Sequence, residues 1–177
     1  GISPIVAQLL INRGIKTCAA GEKFLDVKLS HLLDPFSFPD MPLAVNFIKK
    51  AVKNKEKIMV FGDYDVDGVT ALALLENTLR GLGAKVCHYI PHRINEGYGL
   101  SKNICKICSE KGIKLLVTVD CGTNSASQIK QLRENNIEVI VTDHHEASCL
   151  DTRDYASALI NPKVKDVKQI RASVTTR

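Results

Sequence analysis

From residue 57 onward, short apolar runs alternate with longer amphipathic segments. The apolar runs lie at residues 57–61, 85–90, 114–119, 138–142 and 158–160. The segments between them carry apolar residues at helical spacing and predict helices at residues 69–80, 101–112 and 125–135. The apolar runs are continuous rather than alternating, which is typical of a parallel sheet covered on both faces. The pattern therefore predicts an α/β fold with a doubly wound, mostly parallel sheet.

The N-terminal part of the chain predicts helices without strands. Ser3, followed by a proline, is typical of a helix N-terminus, and Gly14 ends that helix. A second helix is predicted after Asp40, and the proline-containing stretch 34–39 is expected to lack regular structure. We expect a short helical N-terminal segment that packs on the core, then one α/β domain and a basic tail. These parts correspond to residues 1–54, 55–163 and 164–177.

Composition narrows the class of protein. With 177 residues and 45% hydrophobic content, the chain can fill one ordinary core. The net charge of +5 suits an anionic partner such as nucleic acid without requiring one. No apolar run reaches the length of about 18 residues that a membrane span needs, and the start lacks a secretory signal, so we expect a cytoplasmic protein with no membrane partner. The six cysteines are then reduced, and Cys105 and Cys108 are interpreted as helix-packing thiols rather than ligands.

Acidic and imidazole side chains follow three of the predicted strands. They are Asp63, Asp65 and Asp67 after the first strand, Asp120 after the third, and Asp143, His144 and His145 after the fourth. In parallel sheets ligands bind beyond the carboxyl ends of the strands, so we expect these side chains to converge. Close carboxylates repel by about 4 kcal/mol per pair at an effective dielectric constant near 20, and bound cations remove that penalty. Carboxylates with imidazole favour Mn²⁺ or Mg²⁺, so the pattern predicts a two-metal phosphoester hydrolase.

Residues 63–68 are also compatible with three kinds of site or structure other than a two-metal centre. An EF-hand loop would need a glutamate at its twelfth position, where this chain has Leu74. The nucleophile motif of haloacid-dehalogenase-type phosphatases fits residues 65–69 but leaves residues 143–145 unexplained. A purely structural role, in which the aspartates cap a helix and shape a turn, accounts for one or two of them but not for the whole set with Asp120.

The motifs together resemble the DHH phosphoesterase superfamily. Its three ordered motifs match residues 60–70, 119–122 and 141–146. Further segments are similar to the RecJ-like single-strand-specific DNA exonucleases within it, namely residues 90–93, 96–100 and 160–163. The resemblance runs from about residue 5 to residue 165. It implies that residues 55–163 form a DHH phosphoesterase domain.

The resemblance also implies roles for single residues. The implied metal ligands are Asp65, Asp67, Asp120 and His144, with Asp120 bridging the two ions. The implied catalytic residues are Asp63 and Asp143, which support the ligand loops, and His145, which faces the scissile phosphate. Near the same edge, Arg93 is a candidate phosphate contact or an exposed salt bridge, and Tyr98 could stack on a base.

Two departures from the family pattern stand out. Phe61 occupies a position where some relatives have a histidine ligand, and the fourth-motif aspartate expected after residues 161–163 is not matched. The domain is therefore expected to be incomplete.

The resemblance implies a 5′-to-3′ exonuclease acting on single-stranded DNA in DNA repair and recombination, with two divalent cations, Mn²⁺ or Mg²⁺. A single-strand-binding protein and a helicase are implied partners. The alternatives are a phosphodiesterase for oligonucleotides or cyclic dinucleotides and an inactive nucleic-acid-binding module.

Overall fold

The computed structural model of the chain describes residues 1–148 and 152–164, which belong to two compact units that divide between Pro35 and Phe36. The first unit contains helix α1 (Pro4–Asn12), helix α2 (Cys18–Leu25) and a 3₁₀ turn (Leu29–His31). The Ser3 hydroxyl caps α1 as predicted, by accepting a hydrogen bond from the backbone N–H of Val6. Helix α2 was not predicted from the sequence, although Thr17 caps it in the same way.

The second unit contains the predicted alternation of strands and helices. Its elements are α3 (Met41–Lys53), β1 (Lys57–Gly62), α4 (Val66–Gly81), β2 (Lys85–Tyr89), α5 (Ile104–Lys111), β3 (Ile113–Val119), α6 (Ala126–Glu134), β4 (Glu138–Thr142), α7 (Thr152–Tyr155) and β5 (Ala158–Ile160). The strands form one sheet in the order β2-β1-β3-β4-β5. Every neighbouring pair is parallel, so the predicted α/β class with a parallel sheet is confirmed.

Both faces of the sheet are buried. Alternate residues of a strand point to opposite faces, so Met59 packs with residues of α5 and α6, while Ile58 packs with residues of α3 and α4. Both side chains are fully buried. The two covered faces explain why the strands are continuous apolar runs, and they make the sheet doubly wound.

Several element boundaries differ from the sequence prediction. Helix α4 begins at Val66 rather than at residue 69, because the Asp65 side chain caps it. Helix α5 begins at Ile104 rather than at residue 101, and a 3₁₀ turn (Pro35–Ser37) occupies part of the stretch expected to lack regular structure. The short helix α7 was not predicted.

Helix α3 packs within the second unit, on the sheet. The backbone N–H of Leu159 in β5 donates to the Asp40 carboxylate at the start of α3, at 3.0 Å. The division between the two units therefore lies about one helix earlier than the boundary expected after residue 54. Most of the expected basic tail, residues 165–177, lies outside the described residues. Within the described residues, no helix has the length and apolar character needed to cross a membrane.

The cysteine pair on α5 contributes to packing. Cys108 is fully buried in the apolar cluster on the α5 face of the sheet, and Cys105 is partly buried against the same cluster. Burial raises the pKa of the Cys108 thiol to about 12, so it is protonated and a poor ligand. These positions agree with the interpretation of both side chains as packing thiols.

A buried carboxylate connects α4 to the edge strand β2. Glu76 accepts a hydrogen bond of 2.6 Å from Arg80, and one of its oxygens lies 2.9 Å from Nδ1 of His88. Burial alone would raise the pKa of Glu76, but the contacts with Arg80 and His88 hold it below its ordinary value of 4.5. The charged form is therefore favoured by folding.

We predict that Glu76→Gln lowers the free energy of unfolding by roughly 1–2 kcal/mol at neutral pH. Because the folded-state pKa is lowered, this stabilisation is present above pH 4.5 and is lost as the pH falls through the folded-state value. Urea unfolding of both proteins at neutral and acidic pH measures the difference. Glu110→Gln is the control, because its ion pair with Lys106 is exposed and should change stability little. An equal effect of both substitutions at neutral pH would contradict the prediction.

Candidate metal centre

The acidic cluster lies where the direction of strand order changes. In the order β2-β1-β3-β4-β5, strand β2 lies on one side of β1, and the later strands β3 to β5 lie on its other side. At such a reversal of strand order, a crevice opens beyond the carboxyl ends of β1 and β3. A cleft of about 500 Å³ lies at this edge, and its lining includes Asp67, Asp120, Asp143 and His144. The convergence expected from the sequence is therefore observed.

The end of β1 is shaped by a close contact between backbones. Gly68, in the first turn of α4, lies against Asp63 so closely that a Cβ atom there would be 2.5 Å from the Asp63 carbonyl oxygen. Asp65 lies between these two residues in the sequence, and its carboxylate accepts a hydrogen bond of 3.0 Å from the Gly68 N–H. This hydrogen bond lowers the pKa of Asp65. The capping role considered for the aspartates is thus real for Asp65, in addition to its place in the cluster.

Asp120 follows β3 in an unusual backbone conformation. Its φ is +60°, in the left-handed region that aspartate tolerates better than most residues, and its N–H donates to the Thr142 carbonyl at 3.0 Å. Two residues later the chain turns at Gly122, where a Cβ atom would be 2.8 Å from Oγ1 of Thr118. The turn therefore needs glycine, and it holds the Asp120 side chain at the base of the crevice.

Asp143 follows β4 and organises the loop that carries the two histidines. Its carboxylate accepts hydrogen bonds from the backbone N–H groups of Thr123, His144 and His145, at 2.9, 2.7 and 3.1 Å. Burial alone would raise the pKa of Asp143, but hydrogen bonds from the side chain and backbone of Thr123 and from His145 hold it below its ordinary range. The contacts are those of a residue that supports the loop.

Two groups of oxygen and nitrogen atoms are close enough to bind cations, and they share one residue. One group is Asp63, Asp65 and Asp120, and the other is Asp120, Asp143, His144 and His145. The candidate ligand atoms within each group lie within 4.8 Å of one another. Asp67 belongs to neither group but lines the same cleft. Asp120 is therefore placed where a bridging ligand would be.

The shared carboxylate is poorly satisfied by protein atoms. Among residues 1–148 and 152–164, no donor forms a hydrogen bond to either oxygen of Asp120 or to Oδ1 of Asp63. The nearest basic group to Asp120 is Nδ1 of His144, at 3.3 Å. Burial, and then the neighbouring Asp65 carboxylate, raise the pKa of Asp120 to about 6. Buried carboxylate oxygens without donors are costly, and a divalent cation is the partner that fits them.

The two residues predicted to contact substrate lie beside this cluster. The Arg93 guanidinium is 5.2 Å from the ring centre of Tyr64, between Asp63 and Asp65 in the chain, and Arg93 is exposed. The hydroxyl oxygen of Tyr98 lies 2.9 Å from Nδ1 of His145.

Phe61, at the position where some relatives place a ligand, is fully buried, and its ring stacks on Tyr89. It contributes packing there and no metal ligand.

Some residues of the site were not assigned a role from the sequence. The buried Asn161 side chain donates to Oγ1 of Thr123 at 2.8 Å and to the His145 carbonyl at 2.9 Å. Asn124 contacts the far end of the same loop, by donating to the Glu146 carbonyl. The only sequence signal was position, because Asn161 directly follows β5 and Thr123 and Asn124 come just after the motif glycine Gly122.

Residues 57–176 match the family model described as "DHH family, N-terminal domain". The chain belongs to the DHH family. It is 42% identical over 145 residues to the single-stranded-DNA-specific exonuclease RecJ of Bacillus subtilis (strain 168), which covers 82% of this chain and 18% of that protein. It is 33% identical over 166 residues to RecJ of Escherichia coli (strain K12), covering 93% and 28% of the two chains. The DHH chain thus spans less than a third of the length of these relatives.

Solved structures of similar proteins have the same fold. A crystal structure of exonuclease RecJ bound to manganese superposes with a TM-score of 0.66 at 33% identity, over 76% of this chain and 35% of that one. RecJ from Thermus thermophilus, in complex with Mn²⁺, gives a TM-score of 0.61 at 30% identity, over 91% and 22%. The DHH fold expected from the motifs is therefore confirmed.

The close contact between Gly68 and the Asp63 backbone leaves no room for a side chain at residue 68. Gly68→Ala should lower the free energy of unfolding by about 1–3 kcal/mol, because the new methyl group overlaps the Asp63 backbone and must displace α4. Gly81→Ala, at the other end of α4, has open space and is the matched control. It should be neutral or stabilising by up to about 1 kcal/mol, since alanine favours helix. Thermal unfolding of both variants measures the contrast, and equal stability would contradict the contact.

Proposed function

We propose that this DHH chain is the metal-binding part of a RecJ-like exonuclease, which hydrolyses phosphodiester bonds of single-stranded DNA from the 5′ end with two divalent cations, Mn²⁺ or Mg²⁺. One observation carries the proposal above all. The Asp120 carboxylate is buried without hydrogen-bond donors among the described residues, and it is shared by two groups of candidate ligands. A structural aspartate would be satisfied by protein donors, as Asp143 is.

The two groups support one assignment of the ligands. Asp63 and Asp65 would hold one ion with Asp120, and His144 would hold the second with the same Asp120. Asp67 faces the cleft outside both groups and is an additional candidate ligand for the second ion. When bound, such a pair of ions supplies activation of a water molecule and neutralisation of the charge that develops on phosphate oxygens. The geometry thus adds Asp63 to the ligands implied by the resemblance.

The remaining residues of the chain would place the loops and the substrate. Asp143 fixes the backbone of the histidine loop through three N–H donors, and Asn161 holds the same loop from β5. His145 lies beside the second group, where it would face the scissile phosphate. The exposed Arg93 guanidinium would donate to a phosphate oxygen of the strand.

The comparisons support this function over its alternatives. The relatives are named as exonucleases specific for single-stranded DNA, and two of the similar structures contain manganese. From the resemblance of the motifs, we further propose a role in DNA repair and recombination in the cytoplasm, with a single-strand-binding protein and a helicase as partners. Because the chain spans only part of these relatives, its own activity is the point to test.

We expect Mn²⁺-dependent release of nucleotides from the 5′ end of a single-stranded oligonucleotide. The assay compares 5′-labelled and 3′-labelled strands, a duplex of the same sequence, and a dinucleotide. Cleavage restricted to the dinucleotide would favour an oligonucleotide phosphodiesterase. Stabilisation of the protein by Mn²⁺ without cleavage of any substrate would favour an inactive binding module. Either outcome contradicts the proposed activity.

Asp120→Asn tests the shared ligand without relying on activity. Without metal, the substitution should raise the unfolding temperature, because it removes a buried charge that lacks donors. With Mn²⁺, wild-type protein should gain stability and Asp120→Asn should not, since both ions lose a ligand. Glu110→Gln, which changes an exposed carboxylate on α5 outside both groups, is the control and should retain the Mn²⁺ effect. A wild-type Mn²⁺ effect that survives in Asp120→Asn would refute the bridging role.

A further inference from the structure

The loop that carries Tyr98 is anchored on both sides. On one side, the Glu96 carboxylate accepts hydrogen bonds from the Tyr89 hydroxyl at 2.9 Å and from the His92 backbone N–H at 2.8 Å. On the other side, Leu100 is buried, and its N–H donates to the Ser125 hydroxyl at 3.4 Å. Tyr98 therefore lies in a loop that is held by hydrogen bonds on both sides, although its side chain is about half exposed.

The backbone on both sides of Tyr98 adopts conformations that favour glycine. Gly97 has φ of +76° and Gly99 has φ of +83°, both in the left-handed region. At Gly99 a Cβ atom would also come within 3.4 Å of the Ser125 hydroxyl. The two glycines turn the chain so that the Tyr98 ring contacts His145, 47 positions later in the sequence, edge to face at 5.3 Å between ring centres.

The contact is made by one specific ring atom. Nδ1 of His145 lies 2.9 Å from the Tyr98 hydroxyl oxygen and 2.8 Å from Oδ1 of Asp143. That carboxylate oxygen already accepts two backbone N–H groups, so it acts as an acceptor toward the ring. If Nδ1 carried no proton, its lone pair would point at a lone pair of the Asp143 carboxylate oxygen, and the two would repel each other. Nδ1 therefore carries the proton and shares it between two oxygens.

We propose that Tyr98 is a positioning residue for His145, whose hydroxyl oxygen, together with Asp143, holds the imidazole in one orientation with its proton on Nδ1. Nε2 is then the ring nitrogen that points away from both oxygens and is left for a ligand. This inference deepens the proposed function and rests on it, and it replaces the base-stacking role expected for Tyr98. The hydroxyl, not the aromatic face, is the part of the side chain that acts.

Tyr98→Phe separates the two roles. A stacking platform works equally well with phenylalanine, whereas a positioning hydroxyl does not. We expect kcat to fall roughly tenfold, the effect of losing one hydrogen bond, with KM and the Mn²⁺-dependent stabilisation unchanged. Tyr155→Phe, on α7, is the matched control and should leave kcat unchanged. Wild-type kcat in Tyr98→Phe, together with a raised KM in Tyr98→Ala, would establish stacking and overturn the inference.

A second measurement does not depend on activity. In metal-free ¹⁵N-labelled protein, nuclear magnetic resonance should show a proton on Nδ1 of His145. In Tyr98→Phe the Nδ1 proton should exchange with water faster than in wild type, and in Tyr155→Phe it should not. A wild-type ring protonated at Nε2 alone, or unchanged exchange in Tyr98→Phe, would overturn the inference. If the wild-type chain cleaves no substrate, the proposed function fails, and this measurement still decides the role of Tyr98.

Discussion

The structure depends on one electrostatic constraint, the gathering of several carboxylates at the carboxyl edge of a parallel sheet. Asp120 is the carboxylate most affected by this constraint. It is buried, it lies near Asp65, and neither of its oxygens has a hydrogen-bond donor among the described residues. Charges of one sign at this separation repel, and burial strengthens the repulsion. Cations at this place would remove the repulsion, so the carboxylates that repel one another are also the candidate metal ligands.

The backbone around this cluster is built to bring the carboxylates together. At the end of β1 the absence of a side chain at Gly68 lets α4 begin directly against Asp63. At the end of β3 the turn at Gly122 holds Asp120 in a left-handed conformation. Both glycines allow backbone contacts that hold short polar side chains close to the ends of strands, so these side chains need to move little when ligands bind. The precision of the site is therefore a property of close backbone contacts.

The imidazoles are controlled by partners of a different kind. His144 lies next to the shared carboxylate, while His145 is held between Asp143 and the loop that carries Tyr98. The two rings stack with their centres 4.7 Å apart, so a change in one orientation affects the other. The carboxylates provide the charge of the site, and the loops around it decide which atoms of the histidines face a ligand.

Much of the fold was readable from the sequence, because continuous apolar strands and glycine-terminated helices are local signals. These placed the three polar clusters at strand ends and, with the resemblance, predicted Asp65, Asp67, Asp120 and His144 as metal ligands. The structure groups Asp65 and His144 each with Asp120, and it places Asp67 in neither group. The Thr17 cap of α2 was a local signal that the prediction overlooked, and the short helix α7 was also missed. The roles of Asn161 and Thr123 depend on a contact between segments 38 positions apart, which no local signal contains.

The sequence by itself determined which side chains are available and at which strand ends they stand. Only the tertiary structure decided that Asp120 is shared, that Asp67 lies outside both groups, and that the Tyr98 hydroxyl meets His145. The physical reason is that strand order and loop bracing bring together residues far apart in the chain, and no local pattern encodes those distances.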